Sequence, residues 1–106
     1  MSEKDFAVEY PENAIHAGAA DGEGVNGLED TIPMMTSADY KERFKAEYYQ
    51  LQIRIGKLTK MLSDWGSGVL GFQPACSYDQ LEAQLNAMKT CAYLLRERAD
   101  IEEIKL

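Results

Sequence analysis

The sequence has little of several things: one His, one Trp and two Cys in 106 residues, and no run of 18 apolar residues. The missing run excludes a membrane-spanning helix. A lone His, at position 16, leaves nothing for a His-based catalytic pair or a zinc site. Cys76 and Cys91 stand 15 apart with no His near, and read as small buried residues whose thiols stay free in a reducing cytoplasm. The start, Met-Ser-Glu-Lys-Asp-Phe, is acidic and has no apolar core, so no secretory signal is expected there. Positive charge is short as well, with 11 Lys and Arg against 18 Asp and Glu, a net of −7. A surface that coats duplex nucleic acid or anionic lipid needs the opposite balance.

What is present divides sharply along the chain. Residues 1–38 carry one Lys and eight acids, while residues 39–106 carry ten of each sign. The first third also holds four of the eight Gly and two of the three Pro, with no apolar period. Such a stretch cannot repay the entropy of ordering, so residues 1–36 are expected to form an acidic, mostly disordered tail. Thr31-Ile-Pro-Met-Met-Thr36 is the exception, apolar enough to dock on the body or on a partner.

Residues 37–106 read as an all-α, two-helix hairpin. In the first helix, about 39–63, apolar or aromatic residues recur at Tyr40, Phe44, Tyr48, Leu51, Ile55, Leu58 and Leu62. Thr36 or Ser37 can cap it, with Asp39 favoured in the first turn. Gly56 costs roughly 1 kcal/mol against Ala there, and marks either a close approach or mere tolerance. Gly66, Gly68, Gly71 and Pro74 make 64–77 a connection, from which Trp65, Val69, Leu70 and Phe72 should tuck inward. Ser77-Tyr-Asp-Gln80 is a capping-box pattern opening a second helix, about 78–103, whose stripe is Leu81, Leu85, Met88, Ala92, Leu95 and Ala99. Tyr49, Ile53, Met61, Leu94, Ile101 and Ile104 fall off these stripes, and self-association is the simplest way to cover them.

No set of residues resembles a catalytic centre, a metal site or a cofactor site. Gly22-Glu-Gly-Val-Asn-Gly27 matches the dinucleotide-binding spacing but lacks the strand before it and the helix after it, so it reads as a linker. As a calcium loop the same stretch fails, because Val25, Asn26 and Ile32 occupy positions that need ligands or the turn Gly. The informative asymmetry is a basic first helix, +4 over residues 40–62. Arg43, Gln50, Arg54 and Lys57 fall within about 60° of one another on it, bordering the side of Tyr40. Cations beside an aromatic ring suit a nucleotide's phosphate and base. The ordinary alternative is that this helix pairs with the acids of the second helix.

Residues 39–106 resemble a family of small phage and prophage proteins, known from crAss-like and other phages, that includes the anti-CBASS cyclic-oligonucleotide sponges. The resemblance rests on Tyr40-x-x-Arg43, Glu47, Leu51, Arg54 and Lys57-Leu58, then Leu81-x-x-Gln84-x-x-Ala87-Met88 and Leu94-Leu95-x-Glu97-Arg98-Ala99. Cys91-Ala92 departs from it, since such proteins tend to carry Tyr and a larger aliphatic there. The resemblance implies a helical homo-oligomer, a hexameric trimer of dimers in the sponge members, that sequesters cyclic di- and trinucleotides between protomers without cleaving them. It implies that Tyr40 stacks on a base, that Lys57 and Thr59 meet phosphate, and that Arg98 serves a second anion site. With Arg43 and Arg54 from the basic stripe, these form the expected ligand-binding set. The expectation is then a non-enzymatic binder without cofactor or metal, acting in the cytoplasm of the infected bacterial host. The other reading is an interaction module that uses the acidic tail and Ile32-Pro-Met-Met35.

Overall fold

Asp39 starts the first long helix. Its carboxylate accepts the backbone N–H of Lys41 at 3.0 Å, which sets the helix as Tyr40–Gly66. The expected caps do other work: the Ser37 hydroxyl accepts the N–H of Asp39, and the Thr36 hydroxyl donates back to the Ile32 carbonyl. Three residues beyond the expected end, the helix closes on Gly68, whose φ is +76°. The N–H of Val69 bonds the Asp64 carbonyl at 3.0 Å and that of Gly68 bonds the Trp65 carbonyl at 3.1 Å. That pair is a Schellman motif. Gly66 precedes it inside the helix, so the first connection glycine does not break the helix and the second does.

The computed structural model describes residues 25–106, and no strand occurs among them. A 3-10 turn (Leu28–Thr31) leads into α1 (Ile32–Met35), then come α2 (Tyr40–Gly66) and α3 (Tyr78–Ile101). The Ser77 hydroxyl accepts the Gln80 N–H at 3.1 Å and opens α3 as the pattern predicts. α3 ends two residues early, because Glu103 takes φ +56° and sends the Ile104 N–H to the Ala99 carbonyl at 2.8 Å. Ile104 thereby folds back into the core.

α2 and α3 pack antiparallel around two apolar groups. Toward the start of α2, Phe44, Tyr48, Tyr49 and Ile53 meet Ala92, Leu95, Ala99, Ile104 and Val25. Toward the connection, Leu58, Met61 and Leu62 meet Leu81 and Leu85, with Trp65, Leu70 and Phe72 packed on them. Val69 points into solvent instead of tucking in. Four of the six residues expected to need self-association are covered within one chain: Tyr49, Ile53, Met61 and Ile104. Leu94 and Ile101 are not.

Part of the covering comes from the segment expected to be tail. Leu28 and Met34 pack against the first group, where Val25 is buried outright. Thr31 is fully buried; its hydroxyl donates to the Leu28 carbonyl at 2.6 Å and accepts from the Gln50 amide at 2.8 Å. The Asp30 carboxylate caps the 3-10 turn by accepting the N–H groups of Asn26 and Gly27. Packed structure is thus already present at Val25–Met34, ahead of residue 37. Residues 1–24, with His16 and most of the glycine-rich stretch, lie outside the described residues.

Candidate functional site

The cation-rich helix α2 does not carry its expected ligand residues on one surface. Near its start, Tyr40 is 51% exposed. Arg43 donates from Nη1 to the Ser37 carbonyl at 2.7 Å, so its guanidinium is anchored beside the helix start. The end of α3 comes to the same place: the Arg98 guanidinium lies 4.9 Å from the Phe44 ring centroid and pairs with Glu102 at 3.2 Å. Tyr40, Arg43 and Arg98 therefore share one end of the hairpin, with Arg98 stacked on the buried Phe44 ring one turn along from the exposed Tyr40.

Arg54, Lys57 and Thr59 form a separate group. Lys57 lies 17 residues from Tyr40, about 25 Å along a helix that rises 1.5 Å per residue. Within it, Arg54 and Thr59 are exposed, whereas Lys57 is only 7% exposed. The wheel explains this: Lys57 falls about 40° from Ile53 and about 20° from Ala46, both buried, on the second apolar face of α2. Gln50, placed by spacing in the same polar stripe, is held by Thr31 and the Met35 sulfur and fastens the N-terminal segment. Lys57 and Thr59, two residues apart, point in different directions and cannot clasp one phosphate from one chain.

The structure adds residues that spacing did not single out. Arg96 donates from Nη2 to the Tyr48 hydroxyl at 2.8 Å, linking the two helices. A hollow of about 360 Å³ opens beside it, lined by Arg96, Ala99, Asp100, Ile104, Lys105 and Leu106. Its walls depend on the reversal at Glu103, which no periodicity announces. Ion pairs join neighbours on one helix at Lys45–Glu42, Lys60–Asp64 and Arg98–Glu102. Neither Cys76 nor Cys91 is in a disulfide, and Cys91 is exposed rather than buried. Among the described residues no group of three His, Cys, Asp or Glu gathers to hold a metal ion, and no helix is long and apolar enough to cross a membrane.

A family model described as Sequestin matches residues 38–101, from the approach to α2 to the last residue of α3. The match covers more than half of the chain and both long helices. No curated protein and no solved structure matches the chain significantly.

Proposed function

The chain belongs to the Sequestin family, the anti-CBASS cyclic-nucleotide sponges, and from that premise we propose that it binds cyclic di- or trinucleotides and withholds them, uncleaved, from the host's defence. The observation that carries this reading is the family match over both helices that bear the ring and the cations. Tyr40 supplies an exposed face for a base, and Arg43 and Arg98, at the same end of the hairpin, supply cations for phosphate. Arg54, Lys57 and Thr59 complete the contacts.

Tyr40 and Lys57 lie about 25 Å apart along α2, so a small ligand that touches both sits between two chains. In our reading the protein is a homo-oligomer, a hexamer on the pattern of the sponge members, working in the cytoplasm of an infected bacterium. Holding a dianion needs no general base or metal, only matched cations and a stacking ring. Calorimetry with a panel of cyclic di- and trinucleotides tests the proposal, with chromatography of the ligand afterwards. We expect heat from at least one member and recovery of that ligand unchanged. No heat from any member, or a hydrolysed product, rejects it.

One observation favours a second role beside the first. Ile32 and Met35 remain exposed while Thr31 and Met34 dock, so the apolar segment presents a free edge next to an acidic stretch. If that edge recruits a protein, Ile32→Ser with Met35→Ser abolishes the recruitment and leaves nucleotide binding untouched; recruitment that survives the double change removes the role.

A further inference from the structure

One stripe of α2 is fastened at two points to the segment that precedes it. Arg43 and Gln50 stand seven residues apart, about 20° around the helix and about 10 Å along it. The Gln50 amide donates to the Thr31 hydroxyl at 2.8 Å, and Arg43 donates from Nη1 to the Ser37 carbonyl at 2.7 Å. The Met35 sulfur, 3.4 Å from the same amide, is a weak acceptor, so the Thr31 hydroxyl carries the first clamp. Thr31 meets Gln50 and Ser37 meets Arg43, so residues 31–37 run antiparallel to α2 between the two clamps.

The segment between them is pinned to the body. Thr31 is fully buried, and its hydroxyl also donates to the Leu28 carbonyl at 2.6 Å. Met34 packs on the first apolar group, and its carbonyl accepts the Ser37 N–H at 3.2 Å. The Ser37 hydroxyl accepts the N–H of Asp39, the residue that caps α2. The carbonyl that receives Arg43 is therefore carried by a short run of backbone held on both sides.

The chemistry of this anchor is its information. Lys60 and Arg98 pair with carboxylates, which oppose their charge. Arg43 is held by a carbonyl, a neutral acceptor, which fixes the guanidinium and leaves its positive charge whole. Tyr40, three residues before it on the same side of α2, is 51% exposed. An anion that stacks on this ring meets a cation whose rotamer freedom is already spent, which is the condition for tight binding by a long side chain.

We propose that residues 31–37 form a strut that positions Arg43 in the nucleotide site, with Thr31 and Gln50 as positioning residues acting through it. The inference rests on the reading of Tyr40 and Arg43 as ligand residues. It adds a part to that site, because the strut precedes residue 38, where the family match begins.

The test uses the full chain. In nitrogen-edited NMR without ligand, the Arg43 Nη signals, assigned by their loss in Arg43→Gln, should show slowed rotation of the guanidinium. A freely rotating Arg43 overturns the proposal. In calorimetry with cyclic di-AMP, cyclic di-GMP and cyclic tri-AMP, Gln50→Leu should bind the tightest of them about two- to tenfold more weakly than wild type, the effect of freeing one long side chain. Arg43→Gln should bind more weakly still, and adding Gln50→Leu to it should change nothing further, because the strut acts through Arg43 alone. Unchanged or tighter binding by Gln50→Leu overturns the proposal, as do losses that add in the double variant. If Gln50→Leu loses its helical circular dichroism, Thr31→Val takes its place in the cycle, with Thr31→Ser expected to restore wild-type binding. A wild type that gives no heat with any of the three rejects the nucleotide reading itself and this role with it. Wild-type binding without the expected cycle rejects the role alone.

Discussion

Lys57 is asked to be both a buried residue and a ligand residue, and the two demands make separable predictions. Its alkyl stem lies on the face shared by Ala46 and Ile53, so part of its role is packing. Lys57→Met keeps that stem and removes the charge; thermal unfolding should move little, while nucleotide affinity falls more than about tenfold, the loss of one charge-assisted contact of roughly 1.5–3 kcal/mol. Lys57→Glu instead buries an anion where a cation is accommodated, and should lower stability by roughly 3–5 kcal/mol in denaturant titration. A Lys57→Met chain that binds normally takes the phosphate role away from this residue. Thr31 makes a simpler case. Thr31→Val keeps the shape and deletes a hydroxyl that both donates and accepts, leaving the Leu28 carbonyl and the Gln50 amide short of a partner. The expected loss is about 1–3 kcal/mol, read from the same titration. At this scale little of the site was legible. Wheel geometry placed Lys57 in a polar stripe because it counts neighbours on one helix, and the second buried face exists only once another segment lies on it.

Both long helices end in the same hydrogen-bonded reversal, one with the residue that suits it and one without. At Gly68 the left-handed backbone costs nothing special, and nothing stands within 4 Å of where a Cβ would go. Gly68→Ala should therefore destabilise only through its backbone, by about 1–2 kcal/mol. At Glu103 the same conformation is held by a side chain that disfavours it. Glu103→Gly should stabilise the chain, by about 1 kcal/mol at most, since glycine also gains freedom in the unfolded state. Thermal melts of the two variants should move in opposite directions, and a shared direction would refute the reading of both ends. The element scale is where the sequence was most informative. Heptad spacing announced both helices and Ser77 announced the start of α3, because periods and caps are local. Helix ends were missed by two or three residues because they depend on where the chain can turn. Thr31–Thr36 was apolar enough to be expected to dock, and Thr31 and Met34 do so; the ordering of Val25–Asp30 was missed because it has no period of its own, only contacts that distance along the chain conceals.

For the whole molecule, family membership and helix length act on each other. An antiparallel hairpin puts Tyr40, Arg43 and Arg98 at one end and Arg54, Lys57 and Thr59 well along the shaft, so a single chain cannot bring them to one small ligand. Two chains related by a twofold axis can, and symmetry then makes two equivalent sites, each taking Tyr40 from one chain and Lys57 from its neighbour. This arrangement predicts complementation between dead variants. Tyr40→Ala oligomers lack the ring in every site, and Lys57→Met oligomers lack the cation in every site, so each alone should bind weakly. Unfolded together in equal amounts and reassembled, half of the twofold pairs combine one chain of each kind. Every such pair has one site with both defects and one with neither, so about a quarter of all sites should regain wild-type affinity. Calorimetry should show that fraction as a tight binding step, absent from either variant alone and from the two mixed without reassembly. Were each site instead built within one chain, no mixture could restore it, because every chain would carry its own defect. A reassembled mixture without the tight step, with subunit exchange verified by mass spectrometry, would return the site to a single protomer and separate the ring from the cation for good.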